Sequence, residues 1–161
     1  NWYCLDFWSR TLGFDVAKLK QTVSHGINWR PEAETFLRQL QASHCDTVLI
    51  TNAHPDTLRI KLSRVNLEPW FDRIVSSHQF GAAKESQIFW TSLMDMHPFD
   101  RERTLFIDDS ESVLAAAARF GVAHLITLRQ PDSLGPVRQD THYPAIHHFS
   151  EIIGGLRPRN D

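Results

Sequence analysis

With 161 residues, 42% of them apolar, and a formal charge of −2, the chain suits one domain with a core, and has neither a polyanion-binding surface nor an acidic tail. No apolar run approaches the ~20 residues of a membrane span, and the opening NWYCLDFWSR lacks the basic-then-apolar pattern of a secretion signal. Cys4 and Cys45 are far apart, which suits a reduced, cytoplasmic protein better than a disulfide scaffold; no nucleic-acid or membrane partner is expected.

The chain opens without Met, directly in an aromatic-rich segment, and reads as if cut from something longer. Trp2, Leu5, Phe7, Trp8 and Leu12 fall at helical spacing over 2–12, with Gly13 as a stop. Asp15 caps a second predicted helix through about residue 24, ended near Gly26. Pro31 suits the first position of a third, whose apolar face is Phe36, Leu37 and Leu40. TVLIT (47–51) is a continuous β-rich run, the pattern of a strand covered on both faces. Pro55 opens a helix bearing Leu58, Ile60, Leu62 and Val65, and RIVSS (73–77) is the next strand. A helix is predicted over 84–96 with Ile88, Phe89, Leu93 and Met96 on its face, then a strand over 104–108. SVLAAAARF (112–120) is a strong helix former stopped by Gly121, and AHLITL (123–128) is a strand. A loop is expected over 129–145, and AIHHFSEIIGGL closes the chain with a helix.

Strands alternating with helices predict an α/β fold, a Rossmann-like parallel sheet with helices on both faces. The first 26 or so residues are helical with no strand between them and form a separate small layer. Polar residues collect where the strands end: Thr51 and Asn52, Ser76 and Ser77, Asp108 and Asp109. The carboxyl edge of an open parallel sheet is where ligands bind.

The segments TVLITNAHP, FGAAKES and RTLFIDDSES resemble, in order and spacing, the second, third and fourth motifs of the haloacid dehalogenase superfamily of phosphohydrolases. At finer grain, NWYCLDFWSRTLGFD, LITNAHP and RTLFIDDSE are similar to bacterial GMP/IMP-type 5′-nucleotidases of that superfamily. The resemblance covers most of residues 1–128. It implies that 1–27 is the remnant of a helical cap and 28–161 the α/β core without its first strand. It also implies a Mg²⁺-dependent phosphomonoesterase acting on small phosphorylated metabolites, purine 5′-nucleotides among them. In that chemistry Thr51, Lys84 and Asp109 are catalytic; Thr51, Asn52, Lys84 and His54 hold the phosphate or substrate; Asp109 ligates Mg²⁺ directly and Asp108 through water or from one shell out. The residue types suit these roles. Mg²⁺ takes oxygen ligands, and an ammonium with a hydroxyl and N–H groups makes a cradle for a phosphoryl group.

One departure is large. The superfamily's nucleophile motif, Asp-x-Asp-x-Thr, is absent: none of the twelve Asp residues stands two positions from another. The aspartyl-phosphate nucleophile would lie upstream of Asn1, on the central strand of the sheet, and these 161 residues alone are not expected to turn over. Without that strand, the strands of 47–51 and 104–108 are expected to pair directly, or to have the place between them filled by another segment or a second copy.

Each residue also has a plainer explanation. An acidic pair after a strand is commonly a turn and helix cap, and Thr51 and Lys84 taken singly are a capping residue and a solvated lysine. His54 either contacts substrate or merely starts the helix at Pro55. Trp2, Tyr3, Phe7 and Trp8 have the faces to stack a purine, but aromatics at helical spacing are usually there for burial. His78, His142, His147 and His148 show no metal-ligand spacing. Two alternatives stand beside the phosphatase: a non-catalytic truncated relic or interaction module retaining a phosphate or metal site, and a response-regulator receiver. The receiver places its acidic pair before its Thr and Lys, the reverse of the order here.

Overall fold

The computed structural model describes residues 4–22, 26–132 and 134–155. Local signals set most element ends. Helix α1 (Leu5–Leu12) stops at Gly13, whose φ of 73° lies in the left-handed region and whose N–H reaches the Ser9 carbonyl at 3.0 Å. Asp15 Oδ1 accepts the Lys18 N–H at 3.1 Å at the start of α2 (Val16–Thr22); the predicted continuation to 24 lies outside the described residues. Helix α3 (Ala33–Gln41) starts two residues later than Pro31 suggests. Glu32 has a φ of 63°, which no helix admits, and the Ala33 N–H closes a turn onto the Arg30 carbonyl at 3.1 Å. Phe36 and Leu37 are buried on its inner face.

Strand β1 (Val48–Thr51) runs into α4 (Pro55–Arg64), with Pro55 in the first turn and His54 as N-cap. After β2 (Arg73–Ser76) comes α5 (Gln87–Met96). The predicted start at 84 is corrected here: Ser86 Oγ accepts the Ile88 N–H at 3.2 Å and the Ser86 N–H closes a turn onto Ala83, so residues 83–86 form a turn that precedes the helix. Its buried face is Phe89, Trp90 and Leu93, whereas Ile88 is exposed. Strand β3 (Leu105–Ile107), α6 (Glu111–Phe120) and β4 (His124–Leu128) follow. The expected loop over 129–145 ends in a short unforeseen strand, β5 (Ala145–Ile146), before α7 (Ser150–Ile153). Two residues are too few to show an alternating pattern. Backbone bonds from Thr127 to Pro144 (2.8 Å) and from Arg129 to Ile146 (2.9 Å) define that strand.

Among the described residues all pairings are parallel, and helices flank the strands as the chain order predicts. β1 pairs with β2 in the register Val48–Arg73 to Thr51–Ser76. The other ladder is β3–β4–β5, in the register Leu105–His124 to Ile107–Ile126 for its first pair. Among the described residues no ladder joins β1 to β3 and no other segment stands between them as a strand, so neither the expected direct pairing nor the expected filling by another segment is met. The four residues of β1 are only half-buried, short of the cover expected on both faces, and Leu105 of β3 is exposed. The core instead centres on β2, α5 and α6: Val75, Phe89, Trp90, Leu93, Val113, Ala116, Ala117 and Val122. The small Ala116 and Ala117 let α6 pack closely, and Trp90 meets Phe89 and Phe106 edge to face at 5.5 and 5.1 Å. No helix among the described residues is long and apolar enough to cross a membrane.

Candidate active site

The carboxyl ends of β1 and β3 are linked by side chains rather than by a ladder. At the end of β1, Thr51 Oγ1 accepts the Ala53 N–H at 3.0 Å, and Ser76 Oγ, at the end of β2, donates to the Ala53 carbonyl at 2.8 Å. These two bonds fold the backbone after Thr51 sharply and aim Asn52 inward, where it is buried. Both ends of the Asn52 amide are used. Oδ1 accepts the Lys84 backbone N–H at 2.9 Å, and Nδ2 donates to Glu85 Oε2 at 2.9 Å.

Lys84 is therefore fixed at its backbone. Its carbonyl also accepts the Trp90 indole N–H at 2.8 Å, a bond from the centre of the core. With the main chain held at both ends, the side chain reaches Asp108, placing Nζ 2.5 Å from Oδ2. Asp108 Oδ1 in turn accepts the Ser110 N–H at 2.9 Å. The Lys84 and Asp108 side chains are only 10% and 7% exposed. Burying two charges is costly, and the short charge-assisted bond and the backbone donor offset much of that cost. The adjacent carboxylate is in a different environment. Asp109 is exposed, its carboxylate has no hydrogen-bond or ion-pair partner among the described residues, and its backbone carbonyl accepts from Arg138 at 2.9 Å. The difference follows from the strand: Asp108 directly follows β3 and its N–H still bonds the Ile126 carbonyl of β4, whereas Asp109 lies one residue beyond that last rung.

Thr51, Asn52, Lys84 and Asp108 thus belong to one connected network, with Asp109 beside it. His54 stands two residues on and faces the seam with α1. Its Nδ1 accepts the Asp56 N–H at 3.3 Å, its Nε2 is 3.7 Å from Asp6 Oδ2, and its ring meets His78 edge to face at 5.0 Å. A second seam contact runs from Lys20 Nζ to Thr57 Oγ1 at 3.3 Å. Burial, and after it the neighbouring Lys61 ammonium, hold the Lys20 ammonium below its ordinary value. Phe7 and Trp8 are half-buried and pack edge to face at 5.3 Å; Trp2 and Tyr3 lie outside the described residues.

The later histidines have local partners. His142 Nδ1 meets Glu111 Oε2 at 2.7 Å, and the His147 and His148 N–H groups both reach Glu151 Oε1 at 2.8 Å. The His142 backbone N–H, and then its ring, hold the Glu111 carboxyl below the usual carboxylate range. Residues with supporting parts escaped the sequence reading: Glu85, Trp90, Arg138, and Ser76 as a brace for the Thr51 turn. Of these, only Ser76 had a signal, as a polar residue ending a strand. Trp90 reads as a core residue from its helical position, and nothing in its spacing announces the bond to Lys84.

Comparison with known proteins gives a consistent pattern. The family model for haloacid dehalogenase-like hydrolases matches residues 20–121. The GMP/IMP nucleotidases YrfG of Escherichia coli (strain K12) and Shigella flexneri are each 38% identical over 156 residues, which cover 97% of this chain and 70% of theirs. Among solved structures, the HAD-hydrolase YfnB from Bacillus subtilis, bound to magnesium, superposes with a TM-score of 0.67 at 23% identity, over 86% of this chain and 60% of its own. L-2-haloacid dehalogenase from Xanthobacter autotrophicus does so with a TM-score of 0.62 at 14% identity, over 79% and 61%. At these identities the structural matches speak for the fold alone, and this chain spans less than two thirds of each of those two.

Proposed function

The chain belongs to the haloacid dehalogenase-like hydrolases, and we propose that it is the greater part of a Mg²⁺-dependent phosphatase for small phosphorylated metabolites, purine 5′-nucleotides such as GMP and IMP foremost. The nucleotide preference rests on the 38% identity to the YrfG nucleotidases. The observation that carries the phosphatase reading is the buried network Asn52–Lys84–Asp108, which holds one ammonium at the carboxyl edge of the sheet.

The roles follow from what each group has left to offer. Thr51 Oγ1 accepts one bond from Ala53 and keeps its own proton for a phosphoryl oxygen. Lys84 has three N–H donors, of which Asp108 takes one, so the ammonium can hold phosphoryl oxygens while its position stays fixed. Both Asp108 oxygens are already engaged, by Lys84 and the Ser110 N–H, which suits a positioning residue one shell away from a metal. The Asp109 carboxylate is exposed and, among the described residues, uncommitted, which suits direct ligation. One or two carboxylates completed by water and phosphate is the donor set Mg²⁺ takes, so the residues present fit it. When bound there, Mg²⁺ supplies positive charge against the developing charge of the transferring phosphoryl group. The nucleophilic carboxylate, in this reading an aspartate that becomes phosphorylated, comes from outside the 161 residues, because no Asp-x-Asp pair occurs within them.

The test is phosphate release from GMP, IMP and a simple aryl phosphate by the protein that carries this chain. Mg²⁺-dependent release is expected, with Asp109→Asn losing more activity than Asp108→Asn. Asp108→Asn is expected to lower activity by ~10–100-fold, as for a group acting through the metal's surroundings. Absence of Mg²⁺-dependent release from any of the three would favour the non-catalytic reading, and the reverse order of the two variants would refute the assignment of the carboxylates.

A further inference from the structure

We propose that Cys4, Asp6 and His54 form a binding site for a thiophilic divalent cation of the Zn²⁺ class, at the seam between α1 and α4 and separate from the Lys84–Asp108 network. One ligand atom from each residue lies within 4.8 Å of the others, and Asp6 Oδ2 stands 3.7 Å from His54 Nε2. Tetrahedral coordination with bonds of about 2.0–2.3 Å puts ligand atoms about 3.3–3.8 Å apart. The Asp6–His54 pair is at that spacing already, and a shift of roughly 1 Å closes the widest pair. A thiolate, an imidazole and a carboxylate form a borderline-soft set, which selects Zn²⁺, Co²⁺ or Cu²⁺ over Mg²⁺.

The surroundings of each ligand fit the role. The Cys4 side chain makes no capping bond at the start of α1, although Cys4 occupies the N-cap position. The His54 side chain is only 12% exposed and is held by the start of α4 and by its edge contact with His78. On the far side of the ring, Asp56 Oδ2 lies 3.6 Å from Nδ1. Cation binding at Nε2 puts the ring proton on Nδ1, on the side of that carboxylate, which a small closing of the 3.6 Å separation lets accept the Nδ1–H hydrogen bond: the carboxylate–histidine–metal arrangement that orients ligating histidines. The Asp56 N–H contact to Nδ1, at 3.3 Å, belongs to the cation-free tautomer and is released in the exchange. Binding also releases the Cys4 thiol proton. Three protein ligands leave the fourth position to water. Because Cys4 and Asp6 come from α1 and His54 from the end of the β1 turn, the cation would clamp the first helix to the body of the domain.

The test uses Co²⁺ as the probe on reduced, metal-stripped protein, with Mg²⁺ in excess to fill hard-oxygen sites. One equivalent is expected to raise a thiolate-to-cobalt charge-transfer band in the near ultraviolet, which Zn²⁺ then displaces. Cys4→Ser abolishes the band. Asp6→Asn, a change at a side chain that is 74% exposed and safe for folding, weakens binding by at least about tenfold, as does His54→Gln. Cys45→Ser, at an exposed position elsewhere, leaves the band unchanged. Zn²⁺ should also raise the melting temperature of the wild type but not of Cys4→Ser. No band at saturation, a band that survives Cys4→Ser, Asp6→Asn binding as tightly as wild type, or displacement by Mg²⁺ as readily as by Zn²⁺ would each overturn the proposal.

Discussion

Replacing Lys84 by Met removes an ammonium and keeps most of the aliphatic stem, so its effect isolates the charge. Asp108 is then left with a 7% exposed carboxylate whose remaining donor is the Ser110 N–H. Breaking a buried ion pair from one side costs about 3–5 kcal/mol, far more than the ~0–1 kcal/mol of an exposed pair. The Lys84 backbone bonds to Asn52 and Trp90 survive the substitution, so the loss falls on the pair itself. A domain of this size moves by about 2–4 °C per kcal/mol, which places the fall in melting temperature at roughly 6–20 °C. Against a total stability of ~5–15 kcal/mol, the variant still folds in most of that range. The double variant Lys84→Met/Asp108→Asn removes both charges and should be more stable than Lys84→Met alone, with a coupling energy of at least about 1 kcal/mol in the cycle. Chemical and thermal denaturation of wild type, both singles and the double measure it. A Lys84→Met cost below about 1 kcal/mol, or additive singles, would show that the pair is solvated in solution and that the argument from burial is wrong.

Two further expectations rest on neighbouring groups. Asn52→Asp keeps the acceptor for the Lys84 N–H but replaces the donor facing Glu85 with a second carboxylate, so it should cost more than Asn52→Ala, itself about 1–3 kcal/mol, by denaturant midpoint; the opposite order would mean that Glu85 is not held as described. Glu111 is held below the usual carboxylate range first by the His142 N–H, so its contribution is complete above the ordinary carboxylate pKa and is lost as pH falls through the lower folded value. The His142 amide proton shift should titrate with a midpoint below that ordinary value and stop doing so in Glu111→Gln; a midpoint at or above it would refute the assignment.

Short-range signals carried much of this protein in the sequence. Gly13 and Gly121 end helices because a left-handed residue without a side chain satisfies the last carbonyls, and Asp15 starts one because its carboxylate meets a free N–H; neither depends on distant residues. The alternation of strands and helices and the polar residues at three strand ends were legible for the same reason, whereas Thr51, Lys84, Asp108 and Asp109 were singled out as a set only by the resemblance to a family's motifs. Tertiary structure decided what those residues touch. Helix α5 begins at Gln87 rather than at Lys84, because a turn over 83–86 leaves the Lys84 N–H free for Asn52, 32 positions away. Asp108 and Asp109 are chemically alike and adjacent, yet one is buried against an ammonium and the other is exposed, because the last backbone rung between β3 and β4 falls on Asp108. Direct pairing of β1 with β3, or another segment or second copy between them, was expected from the absence of the central strand the resemblance implies, but apolar runs specify burial and not a partner. Here the partners are β2 for one and β4 for the other, and their carboxyl ends are connected through Asn52, Lys84 and Asp108. The Cys4–Asp6–His54 cluster was invisible for the same physical reason: Cys4 and Asp6 are neighbours in sequence, but His54 is about fifty positions on, and its approach to Asp6 is a property of the tertiary fold.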